Sequence, residues 1–123
     1  MRIVISNQSE LPIYAQIKEQ IKEQILSGGI PPQTVLPSIR QLAKEVGVSV
    51  ITTTRAYSDL EQEGFIASMQ GKGSIVLEKD NKLMQEHIMT RIEEYFENAI
   101  KLSRKTGIKD EMLLTTLQEL LKE

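Results

Sequence analysis

Three cations and a set of short alcohols are the side chains of this sequence with most to offer chemically. Arg40 follows Ser38 by two residues. Arg55 follows Ser49, Thr52 and Thr54 in the stretch VSVITTTRAYSDLEQEGFI (Val48–Ile66). Lys72 stands between two glycines in Gln70-Gly71-Lys72-Gly73. Guanidinium groups suit bidentate contact with phosphate or guanine, and short hydroxyls approach phosphates and base edges closely. These are groups for binding a polyanion, and the equipment of catalysis is missing. The chain has no cysteine, one histidine and no Gly-Lys-Ser/Thr phosphate loop. Gln70–Gly73 resembles a phosphate cradle but lacks the helix that should follow it. Neither an enzyme nor a cofactor is expected. His87 has Asp80, Glu86 and Glu94 near it in sequence. A lone imidazole among ordinary carboxylates is a poor transition-metal site, so His87 reads as a solvated helix residue and no metal is expected.

The elements that position these groups must come from a small body. At 123 residues the chain allows one domain and an appendage. Aromatics are only 4%, so the core rests on Leu, Ile and Val. The absence of cysteine excludes disulfides and suits a reducing cytoplasm. No apolar run approaches the roughly 20 residues of a membrane helix, and MRIVISNQSE lacks the apolar stretch of a signal peptide. No membrane partner is expected. Net charge is −2, and residues 1–79 hold eight Lys/Arg against eight Asp/Glu. Attraction to nucleic acid therefore requires sorting: Arg40, Lys44, Arg55 and Lys72 onto one face, with Glu19, Glu23, Glu61 and Glu63 away from it.

Arg2–Ser6 is a β-branched run that reads as a strand. Ile13, Ile17, Ile21 and Ile25 then recur every fourth residue, with Tyr14 and Leu26 beside them, which predicts a helix from Pro12 to Gly28 with Lys18, Glu19, Lys22 and Glu23 in solvent. IPPQTVLP (residues 30–37) is a proline-punctuated loop. Ser38 caps a short helix that turns Ile39, Leu42, Ala43 and Val46 inward and stops at Gly47. Only Val48 and Ser49 separate it from the next helix, which is the helix-turn-helix pattern. After Gly64, FIASM and SIVLE flank Gln70–Gly73 as a hairpin.

The third helix opens on Val50, Ile51, Thr52, Thr53 and Thr54, all β-branched and poor helix formers. Thr53, Ala56, Tyr57, Leu60 and Gly64 fall on one stripe and pack. Ile51, Thr52, Thr54, Arg55 and Ser58 point elsewhere. A hydroxyl-rich first turn at a helix N-terminus is suited to phosphate and to the major groove, with Ile51 placed for a thymine methyl. Taken alone, the same run also reads as solvated surface or as a strand.

From Asp80 two amphipathic helices follow. The first carries Ile88, Ile92, Tyr95, Ala99 and Leu102 with Met84, Phe96 and Ile100 adjoining, and Gly107 breaks it. The second carries Leu113, Leu117, Leu120 and Leu121. Two helices of this size form no independent core, so their apolar faces need a partner.

With these motifs in place, LPSIRQLAKEVGVSVITTTRAYSDLEQEGFIASMQGKGSIVL resembles the winged helix-turn-helix of GntR-family bacterial transcription regulators. The shared pattern stands here as Leu36-Pro37-Ser38-Ile39-Arg40-Gln41-Leu42-Ala43, Val48-Ser49, Leu60-Glu61-Gln62-Glu63-Gly64 and Gln70-Gly71-Lys72-Gly73, and PIYAQIKEQI before it also matches. Leu11 to Leu77, just over half the chain, carries the resemblance. The short two-helix tail resembles the YtrA-type subfamily. Many family members have Glu at Ile39 and a basic residue at Val50, and Pro32-Gln33 replaces a usual Pro-Gly. The resemblance implies a mainly α fold with a small β-hairpin: a winged helix-turn-helix over residues 1–79 and a two-helix dimerisation tail over residues 80–123. It also implies a cytoplasmic homodimeric repressor on a pseudo-palindromic operator, of a type often associated with transporter genes.

Double-stranded DNA is then expected to meet Ser38, Arg40, Ser49, Val50, Ile51, Thr52, Thr54, Arg55, Gln70, Gly71 and Lys72. Homodimerisation is expected through Ile88, Ile92, Tyr95, Phe96, Ala99, Leu113, Leu117 and Leu120. The competing roles are local. Arg40 could pair with Glu45, Arg55 with Asp59 at i+4, Lys72 could stand in water, and Ser38 and Ser49 could only cap. The tail could fold back on its own domain. A winged helix used as a protein-interaction module is the rival function, and it would show exposed apolar residues on the recognition face, where Ile51 is the only one expected. The sequence names no operator and no small-molecule effector.

Overall fold

The computed structural model describes residues 1–123. In chain order the elements are α1 (Ile13–Leu26), α2 (Ile39–Val46), α3 (Val50–Gln62), β1 (Ile66–Met69), β2 (Gly73–Val76), α4 (Lys82–Thr106) and α5 (Asp110–Leu121). They divide into two compact units, Met1–His87 and Ile88–Glu123.

In the first unit α1 buries Ile17, Ile21 and Ile25, spaced four apart, while Ile13 in the opening turn is exposed. The first unit closes around these isoleucines, Leu42 and Ala43 of α2, Thr53, Ala56, Tyr57 and Leu60 of α3, and Phe65, Ile66, Ile75 and Val76 of the hairpin. Ser38 caps α2 by accepting from the Gln41 N–H at 3.1 Å, and Gly47 ends it in the left-handed region at φ 77°. Ile39 and Val46, expected inward, are half-buried. Strands β1 and β2 pair antiparallel, Ile66 with Val76 and Met69 with Gly73. The loop before α2 lines the other edge of β2: Leu36 N donates to Ser74 O and Val76 N to Thr34 O, both at 2.9 Å.

That loop makes a left-handed turn without glycine. Gln33 adopts φ 71°, alone among non-glycine residues, and donates to Val76 O at 2.8 Å. The ladder bond holds the side-chain-bearing residue in a conformation that L-residues resist.

Two expectations are corrected here. Arg2–Ser6 forms no strand. It is extended, but its partners are side chains of α1: Gln24 donates to Arg2 O, Gln20 pairs with both N–H and C=O of Val4, and Gln16 does the same with Ser6, at 2.7–2.9 Å. Four helical residues rise about 6 Å and two extended residues about 6.6 Å. Glutamines at i, i+4 and i+8 can therefore match every second residue of an antiparallel segment.

The second correction is Lys22, expected in solvent, which is buried. Its Nζ lies 3.0 Å from Glu63 Oε1, and His87 Nε2 lies 2.7 Å from the same oxygen. His87 is thus half-buried in an ionic cluster, with its ring edge-on to Phe65 at 6.0 Å. The packing of the first unit continues past the hairpin. It runs to His87, because the first turn of α4 packs with it. Asn81 accepts from Met84 N at 2.9 Å and donates to Gly64 O at 2.9 Å, and Met84 is 1% exposed.

The second unit is a helical hairpin. Gly107 turns the chain at φ 74°, Ile108 N closes on Ser103 O at 3.0 Å, and Arg104 pairs with Asp110. Little is buried within it. Ile92, Tyr95, Phe96, Ile100, Leu117 and Leu120 are all exposed, and Leu113 is half-buried. Phe96, Ala99, Ile100, Leu113, Thr116, Leu117 and Leu120 line a groove of about 380 Å³.

Candidate nucleic-acid interface

The register of α1 against α3 decides which charges remain available. Lys18 of α1 meets Asp59 of α3 at 3.5 Å and Lys22 meets Glu63 at 3.0 Å, each pair separated by 41 residues. Tyr14 and Arg55 share that offset, and the guanidinium carbon lies 3.7 Å from the Tyr14 ring centroid. Residues 14, 18 and 22 on one helix thus face 55, 59 and 63 on the other. This ladder requires two parallel helices, since each side advances by about one turn per rung. It engages Asp59 and the C-capping Glu63 with lysines of α1. Glu63 Oε2, buried and without a hydrogen-bond partner, has Lys18 Nζ 3.5 Å away.

The remaining cations are left over. Arg40, Lys44, Arg55 and Lys72 enter no ion pair. Glu45, the local alternative for Arg40, instead accepts from Gln41 at 3.1 Å. Asp59, the local alternative for Arg55, is held by Lys18.

At the N-terminus of α3 the hydroxyls form a short chain. Ser49 Oγ accepts from Thr52 N at 3.0 Å and lies 2.8 Å from Thr52 Oγ1; one hydroxyl proton closes that contact, which leaves the other for an outside acceptor such as a phosphate oxygen. Thr54 donates to Val50 O at 2.7 Å, so its outward lone pairs accept, as an adenine or cytosine amino group would require. Thr53, buried, donates to Ser49 O. The N–H groups of Val50 and Ile51 have no intramolecular partner, and a helix N-terminus of this kind favours an anion. Ser49 caps the first turn, the hydroxyls of Thr53 and Thr54 bond back to its carbonyls, and the packed stripe holds the rest, so poor helix formers can open this helix.

Val50 is 47% and Ile51 83% exposed. Ile51 is therefore not the only apolar side chain on this face; Val50 stands beside it. Thr54 and Ser58 of α3, Ile39 of α2, and Ser68 and Ser74 of the hairpin border a shared hollow of about 170 Å³. The recognition helix and the base of the wing thus line one concavity. Glu61, expected away from this side, is in that lining, its Oε1 accepting from Ser68 N at 2.7 Å. At the tip, Gln70, Gly71 and Lys72 are exposed, with Gly71 at φ 79° and Lys72 N bonded to Met69 O at 2.9 Å. Ser38 and Arg40 are exposed at the start of α2. Tyr14, seen in the sequence only as a neighbour of the apolar stripe, is the contributor that sequence reasoning missed. Only the i+4 spacing shared by 14, 18, 22 and 55, 59, 63 hinted at it.

Comparison with known proteins bears on the same region. The family described as bacterial regulatory proteins, gntR family, matches residues 13–76. The HTH-type transcriptional repressor YtrA of Bacillus subtilis is 35% identical over 118 residues, covering 96% of this chain and 91% of that protein. The structure of YtrA from Sulfolobus acidocaldarius, a GntR-family transcription factor, superimposes with a TM-score of 0.67 at 27% identity over 99% of this chain and 97% of that one. AraR(DBD) in complex with an operator matches 62% of this chain and 95% of its own, with a TM-score of 0.54 and 34% identity.

Proposed function

The chain belongs to the gntR family of bacterial regulatory proteins, and we propose that it represses transcription as a homodimer, each winged helix reading one half of a pseudo-palindromic operator. The observation that carries the DNA reading is the sorting of charge. The ladder between α1 and α3 neutralises Asp59 and Glu63 internally, while Arg40, Lys44, Arg55 and Lys72 stay unpaired. A chain with net charge −2 can in this way present cations where a polyanion docks. In this reading the first turn of α3 enters the major groove, with Ser49 and Thr52 at phosphate, Thr54 and Arg55 at base edges or phosphate, and Val50 and Ile51 against thymine methyls. Ser38 and Arg40 hold the flanking backbone. Gln70, Gly71 and Lys72 reach the adjacent minor groove or backbone.

The tail supplies the second copy. Its exposed apolar groove suits a self-complementary interface, and two-fold symmetry matches paired half-sites. Ile88, Ile92, Tyr95, Phe96, Ala99, Leu113, Leu117 and Leu120 are the residues of that interface. The test is selection of bound fragments from random duplex DNA. Two inverted half-sites are the expected result, and a single unpaired site or no enrichment refutes it. Leu117→Asp and Phe96→Asp in the full chain should shift sedimentation from dimer to monomer; a wild-type chain that sediments as a monomer overturns the dimer.

A further inference from the structure

We propose that Tyr14, which lies outside the helix-turn-helix, is a positioning residue for DNA binding: its ring holds the Arg55 guanidinium so that Arg55 meets the duplex as a ready-made fork. The inference rests on the DNA reading above.

The guanidinium carbon stands 3.7 Å from the ring centroid, a stacking distance. A guanidinium stacked by its face keeps its N–H edges available for a carboxylate, phosphate or guanine. Here none of those N–H groups bonds within the chain: Arg55 enters no ion pair and no hydrogen bond, and its i+4 neighbour Asp59 is engaged by Lys18. Nor is the stack an accident of one flexible side chain. It is the first rung of the ladder whose lower rungs are Lys18–Asp59 and Lys22–Glu63, so the register of two packed helices sets it. Position adds to the case. Arg55 follows the hydroxyl chain of Ser49 and Thr52 by one turn, at the end of α3 proposed to enter the groove. Arg40 has no such support and must be ordered by the duplex itself. A side chain already ordered in the free protein loses less rotamer freedom on binding.

The test measures affinity of the full chain for the duplex recovered by selection, read by fluorescence anisotropy below the melting transition of each variant. Tyr14→Phe keeps the ring and should bind within about twofold of wild type, while Tyr14→Leu should bind about three- to fivefold more weakly, the scale of one exposed cation–π contact. Arg55→Lys keeps the charge but loses the planar fork, and it should also weaken binding about three- to fivefold. Because it leaves Tyr14 in place, it carries the test whatever Tyr14→Leu does to folding. Arg55→Ala should lose about tenfold or more, and adding Tyr14→Leu to it should cost nothing further. Equal losses from Tyr14→Leu in both backgrounds would mean that the ring acts by another route, and the proposal fails. It also fails if Arg55→Ala or Arg55→Lys binds as wild type does. In those cases the DNA reading survives. A wild-type chain that shows no salt-sensitive duplex binding removes the DNA reading and this inference with it.

Discussion

Replacing Gly64 by alanine should be the most damaging of the glycine substitutions. Gly64 sits at φ +86°, and a Cβ there would lie 2.5 Å from Met84 N and 3.0 Å from both Leu83 C and Asn81 Oδ1. To reach the 3.4 Å of an ordinary contact, the Met84 nitrogen must retreat about 0.9 Å. That nitrogen is capped by Asn81, whose amide also bonds Gly64 O, and the Met84 side chain is buried, so the first turn of α4 cannot yield without losing its cap. A left-handed alanine costs about 1–2 kcal/mol, a lost cap about 1, and displacing a core methionine about 1–2. Stiffening of the unfolded chain returns about 0.5–1 kcal/mol. The net is about 3 kcal/mol. Gly47 is the control, since at φ +77° it has open space within 4 Å and so suffers the backbone term alone, about 1 kcal/mol. In thermal unfolding followed by circular dichroism, Gly64→Ala should melt about 15 °C lower than wild type and Gly47→Ala about 5 °C lower. Equal shifts would refute the clash as the reason a glycine stands in Leu60-Glu61-Gln62-Glu63-Gly64.

Gln33→Gly relieves a left-handed side-chain-bearing residue at φ 71° and should stabilise the chain by about 0.5–1 kcal/mol in urea titration, the relief exceeding the entropy of a freer unfolded chain. Arg40→Ala should lower operator affinity and reduce the slope of log K against log salt by about 1, and an unchanged slope would remove Arg40 from the phosphate contacts. Tyr57 donates to Pro37 O at 2.7 Å, and burial, then the charge of Glu45, push its phenol well above its ordinary value of 10.0. The protonated form is thus favoured in the fold, so its contribution is complete below about pH 10 and is lost as pH climbs beyond that. Tyr57→Phe should cost about 1 kcal/mol at neutral pH and reduce the alkaline loss of stability measured by denaturant titration.

Much of the candidate site was legible from residue types. Short hydroxyls, a cap and an arginine at the start of a helix carry a local meaning, because a helix N-terminus presents the same orphan amides in every fold. That Thr54 turns its hydroxyl proton inward to Val50 O and presents only acceptor lone pairs to the outside was not legible, since it depends on which neighbours the hydroxyl reaches. Arg2–Ser6 read as a strand because β-branched composition reports extended backbone without naming its partner; the partner is a row of glutamine amides.

Local order along the chain was therefore determined by the sequence alone. Apolar spacing of three and four, Ser38 and Ser49 as caps, and glycines at Gly28, Gly47, Gly64 and Gly107 mark where helices run and stop, because these are nearest-neighbour properties of the backbone. Only the tertiary structure decided which charges cancel. Lys22, Glu63 and His87 converge across separations as large as 65 residues, and Tyr14 passes under Arg55 only once α1 and α3 lie parallel in one register. Burial makes that pairing obligatory, since a carboxylate removed from water needs a cation within reach, and no pattern in the linear chain says which cation will arrive.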